Sequence, residues 1–364
     1  MYKVLLITVL ILMALSCEKK EGINDYPFFL GTYTDSESKG IYQSALNADG
    51  SFDSLFLAAE TQNPSFLSFA HGKKVLLAVN ELNIEGSGTL ESYQVDSMQL
   101  KRVGQALSGG AHPCHLNVNR NGDVLIANYT GGNVGYAKVK EDGKLSALID
   151  VRQHLENEMV EQTVQSHAHS IWYTDKENEA IAVDLGLDKL LVYQIRDDKL
   201  MVVDSLAMNT GTGPRHLAFH PHQPVIYVIN ELDNSIVLIK RLSDSTWDVL
   251  SSYSTLPDDY TGKSFCADIH LSPDGRFLYA SNRGHNSIAI FKINDSGDEI
   301  ERVAYESVKG DWPRHFALTS NGKFLVVANQ RSNNLVAFKR NIETGELSFT
   351  DEIKADMPVC VLFK

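Results

Sequence analysis

Cysteine is scarce in this sequence, with four residues in 364, at Cys17, Cys114, Cys266 and Cys360. No two of them form a Cys-x-x-Cys pair, so the thiolate pairs of a structural zinc site are missing. Positive charge is short as well: 33 Lys and Arg face 46 Asp and Glu, for a net charge of −13. A chain with that balance is a poor partner for nucleic acid. An anionic substrate survives the same arithmetic, because bulk charge is screened beyond ~8 Å at physiological salt and the local sign in a cleft decides. Long hydrophobic runs are also missing. The one candidate, Val4 to Leu15, is a dozen residues long, against the ~20 that span a membrane. What is present is ordinary for a globular protein: 43% hydrophobic and 22% charged residues. That is enough apolar material for a core, and it excludes a disordered chain, a collagen-like repeat and a small disulfide scaffold.

The N-terminus reads as a separate object. Lys3 supplies a positive start and Val4 to Leu15 an apolar stretch, the pattern of a secretory signal. Ala14-Leu15-Ser16-Cys17 resembles the bacterial lipoprotein cleavage site, in which the cysteine becomes the acylated first residue. It departs from that pattern at Ala14, where the family usually carries Leu. The polar run Glu18-Lys19-Lys20-Glu21 reads as a tether. We expect a signal peptide over 1–16, a lipoprotein tether over 17–26 and a membrane anchor on Cys17. The protein is then exported to the cell envelope, periplasm or outer membrane. The alternative is a plain signal peptide with an accidental cysteine, and the protein is cytoplasmic if the signal reading fails. The three remaining cysteines imply no full disulfide framework.

The rest of the chain repeats. A short apolar strand, a Gly/Pro/Asn/Asp turn and a second apolar strand ending in Asn or Asp recur along it. Copies begin at Pro64-Ser65-Phe66, Pro113-Cys114-His115, His167-Ala168-His169, Pro214-Arg215-His216, Ala267-Asp268, Pro313-Arg314-His315 and Pro358-Val359-Cys360. Taking Phe66, His115, His169, His216, Asp268, His315 and Cys360 as equivalent, successive gaps are 49, 54, 47, 52, 47 and 45 residues. Each unit has room for four strands. The fourth shows them at His216–Phe219, Val225–Asn230, Ser235–Arg241 and Trp247–Tyr253. This predicts an all-β, seven-bladed β-propeller, one domain over 27–364, in which radial packing buries blade faces and leaves only short edges. A β-solenoid is the rival, but its repeats are usually shorter and need no split unit. The seventh unit stops at the C-terminus, so Val359–Phe363 is expected to complete a blade with Phe28–Tyr33, Gly40–Ala45 and Asp53–Leu57 from the N-terminal end.

Such a ring gathers the starts of inner strands, and the ends of the next strands, at one channel mouth. His115, His169, His216, Asp268 and His315 come from the first set, with Arg215 and Arg314 beside them. Glu81, Glu231, Arg283 and Gln330 come from the second. Converging His, Arg and Glu suit acid/base hydrolysis. For His115 and His315 the alternative is structural, each satisfying backbone groups of a neighbouring blade. His220, His222 and His270 read as structural or solvated, and Asn80, Asn128, Asn230, Asn282 and Asn329 as turn caps. Glu231 is the obvious partner for buried arginines, so a structural ion pair is the other reading of Arg215 and Arg283. His167-x-His169 puts two imidazoles on one strand face. That spacing can ligate a metal, but no further ligands stand out, so neither metal nor cofactor is expected.

Gly213-Pro214-Arg215-His216-Leu217-Ala218-Phe219-His220-Pro221, followed by Val228-Ile229-Asn230-Glu231-Leu232, resembles the lactonase family of seven-bladed propellers. Gly31-Thr32-Tyr33-Thr34, Asp184-Leu185-Gly186-Leu187-Asp188-Lys189 and Ser281-Asn282-Arg283 add to the likeness. That family includes propeller-type bacterial 6-phosphogluconolactonases and relatives of the fungal carboxymuconate lactonizing enzyme. The resemblance implies a hydrolase of sugar lactones with a His, two Arg and a Glu at the channel mouth. The Arg and Glu match Arg215 and Glu231, the second Arg matches Arg283, and the His falls in His167-Ala168-His169, with the choice between the two left open. His115, His216, Asp268, Arg314, His315 and Gln330 are then the expected substrate-binding set. The substrate is expected to be a small, anionic lactone and the protein a monomer. The rival is a non-enzymatic, surface-anchored propeller that binds a carbohydrate or protein ligand at the same mouth.

Overall fold

A computed structural model describes residues 25–155, 165–176, 178–243 and 246–364. The expected signal peptide, Cys17 and the tether up to residue 24 lie outside the described residues. Among the described residues there are 28 strands and no helix, paired into seven four-stranded sheets. Six sheets are continuous in sequence. Their inner strands are Pro64–Ala70, Pro113–Val118, Ala168–Tyr173, Pro214–Phe219, Phe265–Leu271 and Pro313–Leu318. The seventh joins Pro358–Phe363 to Tyr26–Thr32, Gly40–Leu46 and Phe56–Glu60. Every inner strand touches the next, and Pro358–Phe363 touches Pro64–Ala70, so the ring closes as a seven-bladed propeller.

The split blade differs from expectation in its outer strand, which runs Phe56–Glu60 rather than Asp53–Leu57. Phe52 turns inward, makes an isolated bridge to Leu46 and packs its ring 6.1 Å from that of Phe28. Its apolar side chain is used in the core, and the outer ladder resumes only at Phe56. The second strands read as unbroken apolar runs, such as Val225–Asn230, in which every residue is buried. Both faces of that strand are covered by other blades, so no polar alternation survives. The cores lie between blades. Tyr227, Ile229 and Leu238 pack with Leu278, Ala280 and Phe291 of the following blade. Phe29, Ile41 and Cys360 pack with Leu67, Leu76 and Tyr93 and seal the closure.

One irregularity, repeated in every blade, places the site. The ladder between the first two strands shifts register next to the first residue of the inner strand: between Pro64 and Phe66, Pro113 and His115, Ala168 and Ser170, Pro214 and His216, and Pro313 and His315. In the fifth blade the shift lies between Cys266 and Ile269, and in the seventh opposite Gly31 and Thr32. Each shift is a bulge that frees one side chain from the ladder and re-aims it. Before the proline, the chain takes a left-handed turn at Asn63, His112, Gly213, Trp312 and Met357, with φ of 42°, 52°, 62°, 68° and 41°. The carbonyls of these residues accept the N–H of Glu81, Tyr129, Glu231, Gln330 and Tyr33. Gly213 is the one glycine among these five, and a Cβ there would sit 2.5 Å from Leu232.

Candidate active site

The bulges stack the channel-facing residues in layers. Tyr33, Tyr129, Leu185, Glu231 and Gln330 follow the ends of second strands, Arg283 ends its own, and Glu81 lies within Val75–Ile84 just past Asn80, where the pairing to Ser87–Asp96 is interrupted. Together they form the rim. The bulged residues Ser65, Cys114, His169, Arg215, Ala267, Arg314 and Val359 form the next layer. Phe66, His115, Ser170, His216, Asp268, His315 and Cys360 lie beneath. The repeat spacing predicts His169 level with His216. The register shows it one layer higher, level with Arg215: Ala168 pairs with Asp184 as Pro214 pairs with Asn230, so His169 and Arg215 are the bulged residues of their strands.

The structure brings together Arg215, Glu231, Arg283 and His169. Glu231 Oε2 lies 3.1 Å from Arg215 Nε, off the line of a hydrogen bond, and 2.8 Å from an Arg283 terminal nitrogen. Both guanidiniums are almost fully buried and donate to backbone carbonyls: Arg215 to Ala267, Arg283 to Cys266 at 2.9 Å. Burial, with Arg283 and Arg314 nearby, pushes the Arg215 pKa down to about 10, so it remains a cation at neutral pH. Asp188 helps to place it by accepting the N–H groups of Gly211 and Gly213, each at 2.7 Å, in the loop that leads into Arg215.

His169 is buried beside this pair. Burial first, then Arg215, holds its pKa well below the ordinary imidazole value, so the ring is neutral at neutral pH. His167 does not share its strand face, contrary to expectation. It precedes the strand, stacks on Tyr129 with ring centroids 4.5 Å apart, and its Nδ1 lies 3.1 Å from the Tyr129 carbonyl. The bulge at His169 breaks the alternation that would have aligned the two rings. Tyr129 stands between them, 5.5 Å from His169 edge-on.

A second carboxylate–guanidinium group completes the rim. Glu81 Oε2 accepts the Tyr33 hydroxyl at 2.8 Å and lies 3.7 Å from Arg314, which rests 5.3 Å above the Tyr33 ring. Trp312 faces Arg283 from 5.2 Å. Gln330 stays at the rim with a buried, unpartnered Oε1. Arg215, Arg283 and Arg314 against Glu231 and Glu81 leave one positive charge in excess, in a protein of net charge −13. Tyr33, Tyr129 and Trp312 were missed from sequence. Tyr33 and Tyr129 follow the strand-end residues Thr32 and Asn128 just as Glu231 follows Asn230, a signal that polarity alone hid.

Four of the expected substrate contacts belong to the layer beneath. His115 Nδ1 accepts the Ile171 N–H at 3.3 Å and His315 Nδ1 the Val361 N–H at 3.2 Å, so these two take the structural role of tying adjacent blades. His216 and Asp268 are buried and bonded to one another, Nδ1 to Oδ1 at 2.9 Å. His270, expected to be structural or solvated, joins them, its Nε2 2.9 Å from Asp268 Oδ2. The strand-end asparagines do more than cap turns: Asn128, Asn282 and Asn329 donate to the carbonyls of Ser108, Thr255 and Val308, in the segments leading to the next inner strands.

Asp268, His270 and His315 offer ligand atoms within 4.8 Å of one another, a possible metal set. The donor chemistry does not fit. Val361 N–H occupies His315 Nδ1, so Nε2 carries the proton and points it at Asp268. A metal there would have to reverse that tautomer against the backbone donor.

The model of the family described as Lactonase, 7-bladed beta-propeller, matches residues 27–363. A 6-phosphogluconolactonase of Bacillus subtilis is 36% identical over 344 residues, covering 93% of this chain and 98% of the relative. The solved structure of a periplasmic gluconolactonase of Pseudomonas aeruginosa superposes with a TM-score of 0.87 at 29% identity, covering 93% and 99% of the two chains. A putative 6-phosphogluconolactonase of Bacteroides fragilis superposes with a TM-score of 0.85 at 30% identity, covering 93% and 98%.

Proposed function

The chain belongs to the seven-bladed β-propeller lactonase family, and we propose that it hydrolyses a sugar lactone of the 6-phosphogluconolactone type at the channel mouth, where Glu231 and Arg283 of the rim meet Arg215 and His169 of the layer below it. The observation that carries this reading is a buried imidazole beside two buried guanidiniums that share one carboxylate, at a mouth with excess positive charge.

Hydrolysis adds water across the carbonyl–oxygen bond of the ring. His169 takes a proton from the attacking water, which its neutral state permits. Arg215 stabilises the oxyanion that forms on the carbonyl oxygen. The ring C–O bond then breaks, the departing alkoxide takes the proton from His169, and a hydroxy acid results. Arg283 binds the anionic or polar end of the sugar, for which its planar fork is suited. Glu231 holds the two arginines together and keeps their charges from separating. The burial that leaves His169 neutral also makes it a weak base. Negative charge arriving at the arginines offsets their effect on the ring, so its basicity rises as substrate binds and the oxyanion develops. Cys114 is not the nucleophile, because burial pushes its thiol far up and leaves no thiolate at neutral pH.

A lactone panel tests the reading. Purified protein is expected to release acid from 6-phosphogluconolactone or its non-phosphorylated counterpart faster than spontaneous opening, with or without EDTA. Loss with EDTA would indicate a metal-dependent lactonase. No turnover of any lactone would favour the alternative, a propeller that binds its ligand at this mouth without chemistry. We extend the proposal to location: an exported, lipid-anchored protein, tested by fractionating the Cys17→Ser variant. A 6-phospho sugar is a cytoplasmic metabolite, so export favours the non-phosphorylated lactone.

A further inference from the structure

Beneath the rim, three side chains that the proposed reaction does not use lead from half-buried His270 through buried Asp268 and His216 to Arg215. His270 lines a cavity of about 430 Å³ at the opposite end of the channel. Its Nε2 lies 2.9 Å from Asp268 Oδ2, Asp268 Oδ1 lies 2.9 Å from His216 Nδ1, and His216 Nε2 lies 3.3 Å from an Arg215 terminal nitrogen. The direction of each bond can be assigned. Arginine only donates, so His216 Nε2 is the acceptor. His216 Nδ1 therefore carries the proton and donates it to Asp268. The carboxylate itself cannot turn, because Oδ1 accepts the Ile269 N–H at 3.0 Å and Oδ2 the Phe316 N–H at 3.2 Å.

Arg215 needs such support. It sits close to two other cations, Arg283 and Arg314, whose repulsion acts on its guanidinium. Glu231 draws it toward the rim, while the Ala267 carbonyl and His216 Nε2 hold one terminal nitrogen in the layer below.

We propose that Asp268 and His216 are positioning residues for Arg215: the fixed carboxylate selects the His216 tautomer whose lone pair receives the guanidinium and aims it at the reacting carbonyl. The proposal rests on the role given to Arg215 above. Neither residue touches substrate. Asp268→Asn keeps the size of the side chain but can turn an N–H₂ toward His216 Nδ1. That moves the imidazole proton to Nε2, where it opposes the Arg215 donors, as in a triad whose orienting Asp becomes Asn.

Two readouts test this. In kinetics, Asp268→Asn is expected to lower kcat/KM by about 10- to 100-fold with Arg215 present and by less than about 3-fold in an Arg215→Ala background, because contacting groups couple. Equal losses in both backgrounds would show a merely structural role and overturn the proposal. His216→Gln in the same cycle is expected to behave alike, and it serves if Asp268→Asn does not fold. In nitrogen-15 NMR of histidine-labelled protein, the signal absent from His216→Gln is expected to be the Nδ1–H tautomer in wild type. An Nε2–H tautomer there contradicts the proposal. The NMR result stands apart from activity: if Arg215→Ala alone leaves turnover unchanged, the reaction assignment fails while the tautomer still decides the relay.

Discussion

Arg215→Ala is expected to lower kcat on the preferred lactone by about 100- to 1000-fold, the loss typical of removing one donor from an oxyanion site. The magnitude follows from its setting. A guanidinium about 4 Å from developing charge, near a protein surface, is worth on the order of 4 kcal/mol before desolvation. Its Nε is already held beside Glu231, so little reorganisation is needed when the charge appears. Glu231 keeps Arg283 as a partner in the variant, so the carboxylate is not stranded. Arg215→Lys keeps the charge but not the planar fork, and is expected to recover only part of the rate. A second signature is independent of rate. After burial, Arg215 is the largest influence holding down the His169 pKa. In Arg215→Ala, the acidic limb of the pH–rate profile is therefore expected to move to higher pH. Wild-type kcat in this variant would place the chemistry elsewhere.

The second large effect is on stability in acid. His115, His169, His216 and His315 are buried, and burial is the leading cause that lowers each of their pKa values. His216 is pushed down to about 3 and His315 to about 4. Below pH ~6.5 the unfolded chain binds protons at these rings and the folded chain does not. Their contribution is complete above that pH and is lost as pH falls toward the folded values. Each ring gives a slope of about 1.4 kcal/mol per pH unit, so four approach a combined slope of about 5.5 kcal/mol per unit. His270 has the opposite sign. Burial lowers its pKa, but Asp268 outweighs burial and raises it, so its contribution is full below pH ~6.5 and lost as pH rises through the folded value. Stability is therefore expected to peak near neutrality. Against a typical reserve of about 5–15 kcal/mol, it should be exhausted within about two to three pH units on the acid side. Denaturant unfolding at stepped pH measures the slope. A slope below one proton per molecule between pH 6 and 4 would show that these rings are charged in the folded state.

The ring was legible because its period is carried by residues with a fixed structural duty. Prolines open the inner strands after a left-handed residue, and asparagines close the second strands by tying one strand to the next. Both duties recur in most blades, so the spacing survives differences in side-chain chemistry. The layers were harder to read. A bulge costs no residue in the repeat count, so sequence could not show that Arg215 and His169 face the rim while His216 and Asp268 lie below. His169 was therefore set level with His216, and His167 was given a face it does not have. His115 and His315 looked like site residues because their polarity was visible. The backbone N–H groups of Ile171 and Val361, which occupy them, belong to the adjacent blade and leave no mark on the local sequence. The outer strand of the shared blade slipped for a related reason: Phe52 has strand character but is spent on the core.

The most direct measurement is a crystal structure of the protein with the open-chain hydroxy acid formed from its preferred lactone. The new carboxylate is expected within hydrogen-bond distance of Arg215, with the far end of the sugar at Arg283 and His169 beside the carboxyl carbon. An acid bound in the cavity at the His270 end, or on the outer face of a blade with the Arg215–Glu231–Arg283 cluster left empty, would contradict the assignment.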